Sequence, residues 1–104
     1  MELTKLTQTK EKKMKQGIYT IMDKVAGIAA IVQIPSDEVA MRYFKNAFDV
    51  NNGDNQFTKN AADFVGCKLG TIETTTGEIE ADYVEMLDCY DYLEQKKAAK
   101  NVEN

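Results

Sequence analysis

A single proline divides the most informative stretch of this chain. Pro35 closes an apolar run, Ile28 to Ile34, and precedes a segment whose hydrophobic period is helical. Proline has no N–H to give to a strand ladder, so the run before it ends there. Ser36 is placed to act as a helix N-cap, and Asp37 and Glu38 fall in the first turn, where the dipole favours anions. From Asp37 to Phe48 the side chains of Val39, Ala40, Tyr43, Phe44, Ala47 and Phe48 form one broad stripe. Glu38, Arg42, Lys45 and Asn46 lie opposite, with Glu38 and Arg42 in the favourable i,i+4 polarity. A strand pattern before Pro35 and an amphipathic helix after it restrict the chain to folds that mix the two.

Further elements follow the same logic. Ile18 to Asp23 is rich in β-branched and aromatic residues, and Ala26-Gly27 supplies a turn in which Gly27 is free to take positive φ. A hairpin of two short strands is expected, the second apolar on both faces and therefore central or covered by a helix. Asn51 to Asn55 closes the helix, and residues 51–61 read as a loop with Phe57 as its anchor. In a second hairpin, Phe64 to Glu73 places Val65, Cys67, Leu69 and Thr71 on one face, and Thr74 to Gly77 forms the connection. The return strand points Ile79, Ala81 and Tyr83 one way, toward a core, and Glu78, Glu80 and Asp82 the other, toward solvent or a basic partner. After Tyr83 the spacing of Met86, Leu87, Tyr90, Leu93 and Lys97 predicts a helix from about Val84 to Ala99. The expected fold is α+β, a small antiparallel sheet of two hairpins with two amphipathic helices in the order ββαββα. With 104 residues there is room for one core: 1–16 as a mobile N-terminal extension, 17–100 as the domain, 101–104 as a frayed end.

Chemistry is constrained by what the chain lacks. There is no histidine, hence no Ser-His or Cys-His nucleophile pair, no imidazole base and no histidine-bound zinc. Cys67 and Cys89 form no Cys-x-x-Cys pair and are expected to be small buried residues in a reducing compartment. Neither a dinucleotide-binding glycine motif nor a phosphate loop is present. Glu78, Glu80 and Asp82 would hold a cation only weakly, without the loop that organises calcium ligands. The expectation is a protein with no catalytic residues, no metal and no cofactor. No apolar run approaches the ~20 residues of a membrane span, so no membrane association is expected and an intracellular location is.

Charge is unevenly spread. Residues 1–24 carry six lysines against three acids, residues 25–70 four bases against five acids, and residues 71–104 three lysines against nine acids. That acidic third would repel phosphate and attract a basic partner. Glu78, Glu80, Asp82, Glu85, Asp88 and Asp91 are its candidate partner-binding residues.

The order of residues also carries a family likeness. Ile18-Tyr19-Thr20-Ile21-Met22-Asp23-Lys24-Val25-Ala26 before an apolar strand resembles the start of a small nonstructural protein of microviruses, the gokushovirus-type single-stranded DNA phages. Asp37-Glu38-Val39-Ala40-Met41-Arg42-Tyr43-Phe44 is similar to that family's Ala-x-Arg-x-Phe helix, and Leu69-Gly70-Thr71-Ile72-Glu73-Thr74-Thr75-Thr76-Gly77-Glu78-Ile79 to its hairpin. The resemblance covers about residues 14–83; residues 1–13 and the acidic segment after Tyr83 depart from it. It implies a phage accessory protein of the host cytoplasm that moves replication toward single-strand synthesis and packaging, and it brings no catalytic or ligand residues. Docking on viral replication or procapsid proteins is one expected mode of action. The alternative is direct single-stranded DNA binding through Lys10, Lys12, Lys13 and Lys15, with Tyr19 stacking on bases. A homodimer pairing edge strands is compatible with either.

Overall fold

The computed structural model describes residues 14–28, 30–49 and 55–103. In chain order the elements are β1 (Lys15–Asp23), β2 (Gly27–Ile28), β3 (Val32–Ile34), α1 (Asp37–Ala47), α2 (Gln56–Lys59), a 3-10 turn (Ala61–Asp63), β4 (Phe64–Glu73), β5 (Ile79–Asp88) and α3 (Cys89–Glu103). The strands form one five-stranded sheet in the order β2-β1-β4-β5, with β3 also on β1, and every pairing is antiparallel. This is an α+β fold built on two hairpins, as the sequence predicts.

Local chemistry sets the boundaries. Gly27 and Gly77 take φ of 96° and 82° in the two hairpin turns, the left-handed conformation that side chains disfavour. Ser36 Oγ accepts from the Val39 N–H at 3.2 Å and starts α1. A second cap lies in the stretch expected to be a loop: Asn55 Oδ1 accepts from the N–H groups of Phe57 and Thr58, both at 2.9 Å. Thr58 Oγ1 in turn accepts the Asn55 N–H at 3.3 Å, and this reciprocal box folds the single turn of α2.

Three boundaries differ from expectation. β1 begins at Lys15, inside the stretch read as an extension, because Lys15 and Gln16 pair with Glu73 and Ile72 through backbone that no side-chain pattern reports. The strand ending at Ile34 lies at a sheet edge rather than centrally, and α1 covers only its Val32–Ile34 end. Most consequentially, β5 continues past Tyr83 to Asp88, and α3 starts at Cys89 rather than Val84. Val84, Glu85, Leu87 and Asp88 pair with Lys68, Cys67, Gly66 and Val65. The register shift at Met86 brings Leu87 to the core side, so a bulged strand imitates a helical period.

The core lies between α1 and one face of the sheet. Ala40 and Phe44 of α1 and its C-cap residue Phe48 are fully buried, while Val39 and Tyr43 are 36% and 42% exposed, so the buried stripe is narrower than expected. Phe44 lies over Gly66, where a Cβ would come within 2.6 Å of its ring. The rings of Tyr19, Phe44, Phe48, Phe57 and Phe64 run in series with centroids 5.0–6.5 Å apart, and Phe57 is the anchor expected of its segment.

Candidate interaction surface

Eleven residues of α1 make a helix about 16 Å long, whereas a ten-residue strand such as β4 or β5 runs about 33 Å. The helix therefore roofs only the half of the sheet around Gly66, and the β4–β5 ribbon projects beyond it. Every residue from Thr74 to Glu85 is exposed. Ile79 is 62%, Tyr83 50% and Val84 46% exposed.

Side chains alternate at the start of β5 from Ile79 to Ala81 before a register shift, but the assignment of its faces changes. Glu80 pairs with Thr71, which lies opposite Gly17 on the α1 side of the sheet, and Asp82 falls at a register shift between the paired residues Ala81 and Val84. Ile79, Ala81 and Tyr83 occupy the other face, where they were expected to meet a core; instead they are exposed. The core is on the acidic side of the sheet and stops short of the acids. Tyr83 Oη sits 3.2 Å from Cys67 Sγ and donates to Glu85 Oε2 at 3.4 Å, which puts Glu85 on the face away from α1.

The six predicted partner-binding acids thus separate into groups. Glu80, Asp82 and Glu85 flank the outer edge of β5, with Glu80 and Glu85 on opposite faces, and no ion pair to them is present among the described residues. Glu78 belongs to the turn: its carbonyl accepts the Glu73 N–H at 2.8 Å. Asp88 lies at the far end of the strand, where its carboxylate accepts the Asp91 N–H at 3.0 Å and the Lys24 ammonium at 3.0 Å. Burial opposes its ionisation, but the Asp91 and Tyr90 amides and Lys24 outweigh burial and hold the carboxyl below its usual range. Asp88 is the cap of α3, and Asp91 is an exposed residue of that helix's first turn.

Of the residues proposed for nucleic acid, Lys10, Lys12 and Lys13 lie outside the described residues. Lys15 is exposed, but it shares a surface cavity of about 390 Å³ with Glu73, Glu78 and Glu80. Tyr19 is fully buried, so neither ring face is open to a base. Its hydroxyl donates to Asp37 Oδ1 at 2.5 Å, and Lys68 Nζ stands 3.0 Å from the same oxygen and 5.9 Å from the Tyr19 ring centre. Burial and this hydrogen bond push the phenol well above its usual range. Helix position alone assigns Asp37 only a dipole role; its link to Lys68 depends on a β4 register shift that no motif announces.

Cys67 and Cys89 are free and buried, and burial raises both thiols, Cys89 to about 11. Among the described residues no group of three or more acids and cysteines is arranged to hold a metal ion. No described helix is long and apolar enough to cross a membrane.

In class, then, this is a small α+β sheet module with one half packed under a helix and the other projecting as an acidic ribbon. The family model described as phage ORF5 protein matches residues 16–91, from the second residue of β1 into α3. The chain belongs to this phage ORF5 protein family. No curated protein and no solved structure matches it.

Proposed function

We propose that this phage protein acts by binding another protein rather than by catalysis. In this reading it docks on replication or procapsid proteins in the host cytoplasm and regulates viral single-stranded DNA synthesis and packaging. Membership of the phage family and the resemblance to microvirus accessory proteins support the viral setting. The observation that carries the docking reading is the projecting β5 segment, whose acids Glu80, Asp82 and Glu85 are exposed beside exposed Ile79 and Tyr83. Such a surface favours a basic protein and disfavours phosphate. Direct binding of single-stranded DNA has less support, since Tyr19 is buried and Lys15 has acidic neighbours.

The test is co-purification of the tagged full chain from phage-infected cells, beside titration of a labelled single-stranded oligonucleotide. Specific retention of a viral replication or procapsid protein, without oligonucleotide binding at low salt, is the expected result. Salt-sensitive oligonucleotide binding with no viral protein retained would overturn the proposal.

A further inference from the structure

We propose that the outer edge of β5, from Ile79 to Glu85, takes up an extended lysine- or arginine-containing segment of a partner protein as a sixth strand. The inference rests on the docking reading above and specifies the geometry of the contact. β5 pairs with β4 on one side, and no described backbone group bonds to its other side. An open edge presents a row of N–H and C=O groups to any extended chain. The charges around this edge select what approaches. Glu80 lies on the α1 side and Glu85 on the opposite side, with Asp82 between them at a register shift, so their common element is the strand edge and not one face of the sheet. An added strand directs its own side chains alternately to those two faces, so basic residues at either parity meet a carboxylate. Exposed Ile79, Tyr83 and Val84 offer apolar contacts for the residues between them.

A second copy of β5 fits poorly, because isologous pairing gathers three acids from each copy, with like charges opposed along one ribbon. The other open edge differs: from Val25 to Ile34 it contains no charged residue, so this selectivity belongs to β5.

The experiment uses the full chain and a blocked, fluorescent seven-residue peptide alternating lysine and valine. Its counterpart is methylated on alternate backbone nitrogens, which keeps the charge and removes strand donors. We expect the plain peptide to bind at low salt. Methylation should weaken binding roughly tenfold, the effect of about one net hydrogen bond or more. The triple variant E80Q/D82N/E85Q, with its fold checked by circular dichroism, should weaken binding by roughly tenfold or more. Equal binding of the methylated peptide, undiminished binding to the triple variant, or no binding of the plain peptide would each overturn the edge proposal. So would a dimer of the wild-type chain that the triple variant strengthens, because the edge would then pair with itself. If the triple variant retrieves the same viral protein from infected cells as wild type, the edge inference falls and docking stands. If wild type retrieves none, docking itself falls.

Discussion

Gly66→Ala isolates the packing of α1 on the sheet with one carbon atom. A Cβ there would lie 2.6, 2.7 and 2.8 Å from Cγ, Cδ1 and Cδ2 of Phe44. Ordinary carbon contacts are about 3.5–4.0 Å, so the ring must retreat by about 1 Å. It has nowhere to go: Phe44 is fully buried, with Tyr43, Tyr19 and Phe48 ring centres 5.6, 6.4 and 6.5 Å away. Overpacking of this kind costs about 1–3 kcal/mol. Replacing glycine at a compatible φ returns about 0.4–1 kcal/mol by restricting the unfolded chain, and Gly66 is not among the positive-φ glycines. The net expectation is a loss of about 1–2 kcal/mol. Urea denaturation should show a lower midpoint at unchanged m, and the thermal midpoint should fall by roughly 5–15 °C. Phe44→Leu makes the second arm of a cycle, and with the ring gone the alanine should cost about 1 kcal/mol less. Gly77→Ala is the contrast: nothing lies within 4 Å, but φ is 82°, so its cost of about 1 kcal/mol should not depend on Phe44. A G66A protein as stable as wild type, or additivity across the cycle, would refute the packing argument.

Other consequences are as direct. Because the folded-state carboxyl of Asp88 titrates below its usual range, the stability it supplies is complete above that range and is lost as pH falls through the lowered value. Asp88→Ala should cost about 1 kcal/mol at neutral pH, mostly as a lost cap, and flatten the acid limb of a stability-versus-pH curve; an unchanged limb would assign the effect elsewhere. Tyr19→Phe removes the hydrogen bond that most lowers the Asp37 carboxyl, so that group should titrate nearer its usual value by NMR, with roughly 1 kcal/mol of stability lost. The same sign holds, since the depressed Asp37 carboxyl stabilises above its usual range and ceases to do so in acid. Cys67 and Cys89 should resist a thiol reagent at pH 8 in the folded protein and react on unfolding; reaction at the rate of an exposed thiol would contradict their burial.

Where backbone punctuation is strong, the chain announces its structure. Pro35 with Ser36, and Gly27 and Gly77 in the turns, mark boundaries through conformational limits that act locally, and α1 and both hairpins follow from them. The stretch from Val84 to Asp88 was harder to read because a bulge breaks the two-residue alternation, leaving Met86 and Leu87 adjacent to Tyr90 and Leu93 in an apparent helical stripe. One signal was available: Asp88, three residues before Asp91, is the residue type that caps a helix. The acids of the β4–β5 ribbon were legible as a group, but which lie at the strand edge and which cap a helix depends on register. Tyr19 illustrates the same limit, since its register partner Lys68 is far away in sequence and an aromatic residue does not report its own burial.

β1, the middle of this sheet, is made first and completed late. Its β2 and β3 partners follow within a few residues, but β4 begins at Phe64, after α1 and α2. At ribosomal speeds of about 5–20 residues per second, the roughly forty intervening residues take about 2–8 s to synthesise. For that interval β1 carries one unoccupied ladder on the nascent chain, flanked by the uncharged Val25–Ile34 segment, with closure awaiting the arrival of Thr74 beside Met14. A chain that stalls before β4 emerges is left with an apolar hairpin and a helix that lacks the β4 and β5 part of the floor it packs on, Gly66 included.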